Sequence, residues 1–159
     1  MHTKLAPRRI DRGPKRRHEA RVRRFSIDHA LLGKLDELAI DEVQARAVVE
    51  AVCIQLAVDI PRLRFHARRS PYTGATEQPR RHLVVQHGEE AIRRFEETRS
   101  GPISPYGAIR LGRITTLMTV AHELGHHLVF SLDPLSTPNH GRRWVQRFDE
   151  AAMSIYRLL

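Results

Sequence analysis

The residues of this chain whose types and spacing can do chemistry are His122, Glu123 and His126, an HExxH motif inside the apolar run from Thr115 to Phe130. Two histidines four apart on an α-helix project from one face about one turn apart, so both imidazoles can grip one metal ion. Glu123 lies one residue around from that seam, poorly placed to ligate the same ion but able to take a proton from water that the ion holds. Thr115 or Thr116 can cap the start of the helix, and Leu117, Val120, Ala121, Leu124 and Leu128 supply the surface that anchors it. With ten histidines in the chain a motif this short can arise by chance, and context decides. The match sits in a well-formed apolar helix, follows a strand with a short connection and precedes a further histidine at a turn.

A catalytic zinc site needs a third protein ligand and one open position. His127 points about 100 degrees away from the seam and reads as a surface residue or one that supports the ligands from behind. Asp133, just past the helix end, Glu150, on the next helix, and His140, at the start of a helix running to about Arg157, are the candidates. His140 is favoured, because a turn can deliver its neutral imidazole back to the cleft, with Asp133 and Glu150 as alternatives. Tyr72 and Tyr106 carry hydroxyls suited to stabilising an oxyanion, although both types commonly serve turns and packing. Arg142 and Arg143 can line the cleft or form a solvated helix face. Trp144 falls in a stripe with Val145, Phe148, Ala152 and Ile155 and reads as core.

The elements that must position these residues follow from periodicity. Ser26 or Asp28 can cap a helix through about Ala39, and a second helix spans Val43 to Val58, with apolar residues over more than half its circumference and Asp59 and Pro61 as its stop. Arg62–His66 alternates as a half-buried strand, and Leu83, Val84 and Val85 suggest a second strand over His82–His87. Glu89 to Thr98 is a short charged helix or a hairpin insertion. Ala108–Arg113 is a third strand; as a sheet edge it would accept an extended peptide over the metal. Strands interleaved with helices give an α+β architecture, a small three- or four-stranded sheet packed on helices.

The 159 residues, 41% of them hydrophobic, fit one domain of ordinary size. No uncharged run exceeds the stretch from Ser100 to Ile109, which excludes a membrane-spanning helix. The basic N-terminus lacks an apolar segment behind it, and the lone Cys53 sits among apolar residues at helical spacing; both fit the cytoplasm. Charge is divided unevenly. Residues 1–24 hold ten of the 27 Lys and Arg and two of the 18 acids, so this arm carries +8 and residues 25–159 carry +1. An arm of this composition is expected to be disordered, and it either attaches to nucleic-acid phosphates or serves as a solubilising tail.

HELGH at 122–126, followed by Asn139, His140, Gly141, Arg142, Arg143 and Trp144, resembles the SprT-like zinc metallopeptidases, in which HExxH precedes a His-Gly pair and an aromatic. The resemblance covers about residues 28–157, and only its two histidine-containing motifs are specific. The charged segment from about Gln86 to Ser104 is longer than the pattern leads one to expect, and no zinc-ribbon cysteines follow. The resemblance implies a zincin-like fold over residues 25–159, His122, His126 and His140 as ligands of one Zn2+ per chain, Glu123 as general base, and a protein or peptide substrate. The alternative is a nucleic-acid-binding or adaptor module whose metal site is structural or degenerate.

Overall fold

In the computed structural model, which describes residues 8–9, 29–99, 101–133 and 140–159, the described residues form six helices and six short strands in an α+β arrangement. Most of the basic arm, the helix caps at Ser26 and Asp28, and the turn at Pro138 and Asn139 lie outside them. Within the arm, Arg8–Arg9 (β1) pairs antiparallel with Leu38 and Ala39.

Helix α1 (His29–Glu37) stops short of Ala39, because Leu38–Asp41 is a strand, β2. Ala39 and Ile40 are buried where β2 pairs with Thr116 and Thr115, a long-range pairing that local periodicity does not register. Asp41 then caps helix α2 (Glu42–Gln55): its carboxylate accepts from Gln44 N–H (2.9 Å), and the Gln44 side chain accepts from Asp41 N–H (3.2 Å). The helix ends before Val58. Ala57 adopts φ 53°, and the N–H groups of Ala57 and Val58 return to the carbonyls of Ile54 and Cys53, closing a Schellman turn on a residue other than glycine. One face is buried, through Ala45, Val48, Val49, Val52 and Cys53, while Ile54 is exposed, so α2 is narrower in its apolar coverage than its composition suggests.

Two three-stranded sheets follow. In one, β3 (Arg62–His66) pairs parallel with β5 (Ala108–Gly112), which pairs antiparallel with β4 (Ala75–Glu77). The other runs β1-β2-β6, with β6 at Ile114–Thr116. Strand β5 is therefore central rather than an edge, and β4 is the outer strand on the side that faces the helix carrying His122 and His126. The expected strand over His82–His87 is instead a helix, α3 (Arg80–His87), followed by α4 (Glu89–Thr98). Three consecutive apolar residues do not distinguish the two states. What decides is the packing of one helix on the other: the Arg80 guanidinium donates to Glu89 (2.7 Å) and Glu96 (2.9 Å), and Gly88, at φ 86°, makes the corner between them.

Helix α5 (Leu117–Leu132) runs through the middle of the molecule, and α6 (Arg142–Tyr156) packs along it. The core gathers Leu32 and Leu35 of α1, the buried face of α2, Ile109 and Leu111 of β5, and the apolar residues of α5 and α6. No helix among the described residues is long and apolar enough to cross a membrane. Cys53 is buried in this core, its thiol pushed up to about 12 mainly by burial, and is chemically quiet.

Candidate metal centre

From Leu117 to Val129 every residue of α5 is buried except His122 and His126, and Phe130 continues their line one turn on. A helix surrounded by core on all other sides thus leaves open only the stripe that carries the two imidazoles. Thr116 caps its start, accepting from Thr119 N–H (3.0 Å). The Pro71 carbonyl in turn accepts from Thr116 N–H (3.1 Å) and the Thr119 hydroxyl (2.9 Å), which fastens the loop between β3 and β4 to the helix.

His140 comes to the same place from the bend just before α6. Its Nε2 lies 3.1 Å from Nε2 of His122 and 3.1 Å from Nε2 of His126, and the three side chains form a cluster whose ligand atoms are all within 4.8 Å of one another. A neutral imidazole nitrogen carries either one proton or one lone pair, so Nε2 of His140 cannot satisfy both neighbours by hydrogen bonding. One ion can accept all three lone pairs. Nitrogens about 2.0–2.1 Å from a tetrahedral zinc stand about 3.3 Å apart, close to the separations found here. The donor set and its spacing therefore fit a metal ion.

Trp144, read as core, is buried and also backs the whole cluster: its ring centroid lies 4.9, 5.5 and 4.5 Å from those of His122, His126 and His140, and it stacks on Phe148 at 5.1 Å. Gly125 lets this happen. A Cβ there would meet Trp144 Nε1 at 3.1 Å and the Phe148 backbone at 3.2 Å, so the missing side chain sets how closely α6 approaches α5. The other two ligand candidates are engaged elsewhere. Asp133 and Glu150 both accept from the Arg147 guanidinium, Asp133 at 2.6 and 3.1 Å and Glu150 at 3.0 and 2.8 Å.

Glu123 is 4% exposed. The Thr76 hydroxyl on β4 donates to its Oε2 at 2.6 Å, and Gly74 presses against the other oxygen: a Cβ on Gly74 would lie 2.6 Å from Glu123 Cγ and 2.8 Å from Oε1. Burial pushes its carboxyl up to about 7, against the opposing pull of the Thr76 hydroxyl and the charge of Arg69. Sequence reasoning missed both Gly74 and Thr76 as partners of Glu123. The only signal was a glycine next to a small residue ahead of an edge strand.

His127 is not a surface residue. It is fully buried, its Nε2 donates to the Asp59 carbonyl at 2.6 Å, and burial holds its pKa below the usual value, which keeps the ring neutral. Tyr106 is half exposed, Tyr72 is partly buried on the loop fastened by Pro71, and Arg142 and Arg143 are exposed at the start of α6. No protein-family model, curated protein or solved structure matches this chain.

Proposed function

We propose that this protein is a cytoplasmic zinc-dependent metallopeptidase of the SprT-like, zincin kind, brought to nucleic acid by its basic arm. The observation that carries the reading is the convergence of three histidine Nε2 atoms on the one open stripe of a buried helix, with a buried carboxylate at the next position of that helix. His122, His126 and His140 would hold the ion. Zinc bound by three neutral imidazoles supplies Lewis acidity, which acidifies water and polarises a carbonyl.

The chain's own residues supply the rest. Thr76 donates to Oε2 of Glu123 and so holds in place the carboxylate that takes a proton from water and returns it to the departing amine. Burial raises the carboxyl above the usual carboxylate range, which makes it a stronger proton acceptor. Trp144 shields one side of the histidines from water and fixes their rings. β4, with β5 on one side only, offers its outer backbone to an extended substrate, the part that the central strand β5 cannot play.

Purified full chain is expected to carry about one zinc and to cleave an unfolded protein. Glu123→Gln should retain the zinc and lower hydrolysis by at least about a thousandfold, the scale of losing a general base together with its charge, whereas His140→Ala should lose the metal. Stoichiometric zinc with no cleavage of any unfolded protein would sink the peptidase reading and favour a structural site.

A further inference from the structure

The charged α3–α4 segment has a consequence beyond folding. It stands over the polar face of the sheet and encloses with it a cleft of about 550 Å3, whose walls include Arg64, Arg99, Arg110, Glu77, Leu83 and Phe95. The register explains the charge. Arg64 of β3 and Arg110 of β5 are direct partners, and Arg110 is also opposite Ala75 of β4, so the two guanidinium groups share one face of the sheet. Glu77 neutralises only part of them: it accepts from Arg99 at 2.6 Å and lies 3.5 Å from Arg110. The Arg64 side chain has no hydrogen-bond or ion-pair partner among the described residues, which leaves the cleft with two positive charges in excess of its one carboxylate.

Thr76 connects this cleft to the metal centre. It borders the cleft, while its hydroxyl, on the other face of β4, holds Glu123. Along a strand, neighbouring side chains alternate between faces, so β4 sends Thr76 toward α5 while Ala75 and Glu77 face the cleft. A peptide added alongside β4 alternates in the same way, with every second side chain on the cleft face, where Ala75 and Glu77 come first, Arg110 one strand further and Arg64 beyond it.

We infer that this cleft is a subsite for an acidic side chain of a peptide lying along β4, read by Arg64 together with Arg110. Leu83 and the half-exposed Phe95 ring offer apolar surface for the methylene groups of a glutamate, while the arginines meet its carboxylate. The inference rests on the peptidase reading only for where the peptide lies.

The test uses zinc-loaded full chain and pairs of quenched-fluorescence peptides that differ by Glu or Gln at one position, moved along either side of the cleaved bond. At one position the Glu peptide should be cut with a kcat/KM about fivefold higher, an advantage that shrinks with salt. Arg64→Gln should bring the Glu-to-Gln ratio toward one, and Arg64→Glu should turn the preference to Lys, a gain that a misfolded variant cannot show. No acid preference at any position, or a preference that survives Arg64→Glu, overturns the inference while leaving the peptidase reading intact. If no peptide is cut, fluorescence anisotropy with the same labelled peptides still decides: Arg64-dependent selectivity for Glu supports the cleft, and equal binding overturns it. A single-stranded oligonucleotide whose binding is lost in Arg64→Glu, with Glu and Gln peptides bound alike, would make the cleft a nucleic-acid site and also overturn it.

Discussion

Burial and the Thr76 hydroxyl act on the Glu123 carboxyl in opposite directions, the first raising its pKa and the second lowering it. Thr76→Val removes only the second influence, so the carboxyl should titrate at higher pH. In the proposed reaction Glu123 accepts its proton in the ionised form, and the acidic limb of the pH–rate profile should therefore move up. On the acidic side of that limb the loss should be about tenfold, the size of one hydrogen bond to a charged group. Thr76→Ser should restore the wild-type profile. A uniform drop in rate without movement of the limb would mean that Thr76 only supports β4. Glu123 in HExxH was legible because its relation to His122 and His126 is a property of one helix; Thr76 and Gly74 were not, because tertiary contact brings them to it from 47 and 49 residues earlier in the sequence.

At the scale of elements, the metal centre depends on the approach of α6 to α5. Gly125→Ala would place a methyl group within 3.1–3.2 Å of Trp144 and the Phe148 backbone, and His140 lies just before α6. The higher helix propensity of alanine, worth about 1 kcal/mol, offsets part of the crowding cost of about 1–3 kcal/mol. Thermal stability should thus change little while zinc affinity falls by about tenfold or more, measured by competition with a chromophoric chelator. Unchanged affinity would separate the spacing of the helices from the site. The same two helices are joined by Arg147, whose hydrogen bonds hold the Asp133 carboxyl below its usual range. An acid whose pKa is depressed on folding contributes stability above its unfolded value and loses it as pH falls through the folded one. Arg147→Met should cost about 1–3 kcal/mol in urea unfolding at neutral pH, and the difference from wild type should narrow below about pH 4. A constant difference across that range would remove Asp133 from the account.

For the whole molecule, the core closes around α5 through apolar contacts that require no ion, from Leu35 of α1 to Ile109 of β5 and Ile155 of α6. Chelation should accordingly strip the metal while far-UV circular dichroism stays nearly constant and Tm falls by a few degrees, as expected for loss of a ligand bound to the native state. Cooperative unfolding on chelation would identify the ion as a folding element, as in small zinc domains, and weaken the case for an open catalytic position. The division of charge into an arm at +8 and a remainder at +1 belongs to this scale too. The arm's charge is a matter of composition, whereas the cleft beside β4 brings Arg64 and Arg110 together by strand register.

The sequence alone determined what depends on neighbours within a turn or two: the helix that carries HExxH, its threonine cap, the apolar stripe of α6 with Trp144, and the strands read at Arg62–His66 and Ala108–Arg113, the second of which ends at Gly112. It also raised His140 above Asp133 and Glu150 without excluding them, because ligand type and turn position are local while convergence is not. Tertiary structure decided the rest. It drew Asp133 and Glu150 to Arg147, turned His82–His87 into a helix braced by Arg80, made β5 the middle of its sheet, and set Gly74 and Thr76 against Glu123. Apart from the contact of Arg147 with Glu150, three residues on along α6, each of these is a pairing between distant segments, selected by which surfaces bury together and which charges find partners, and no local pattern of residues encodes that choice.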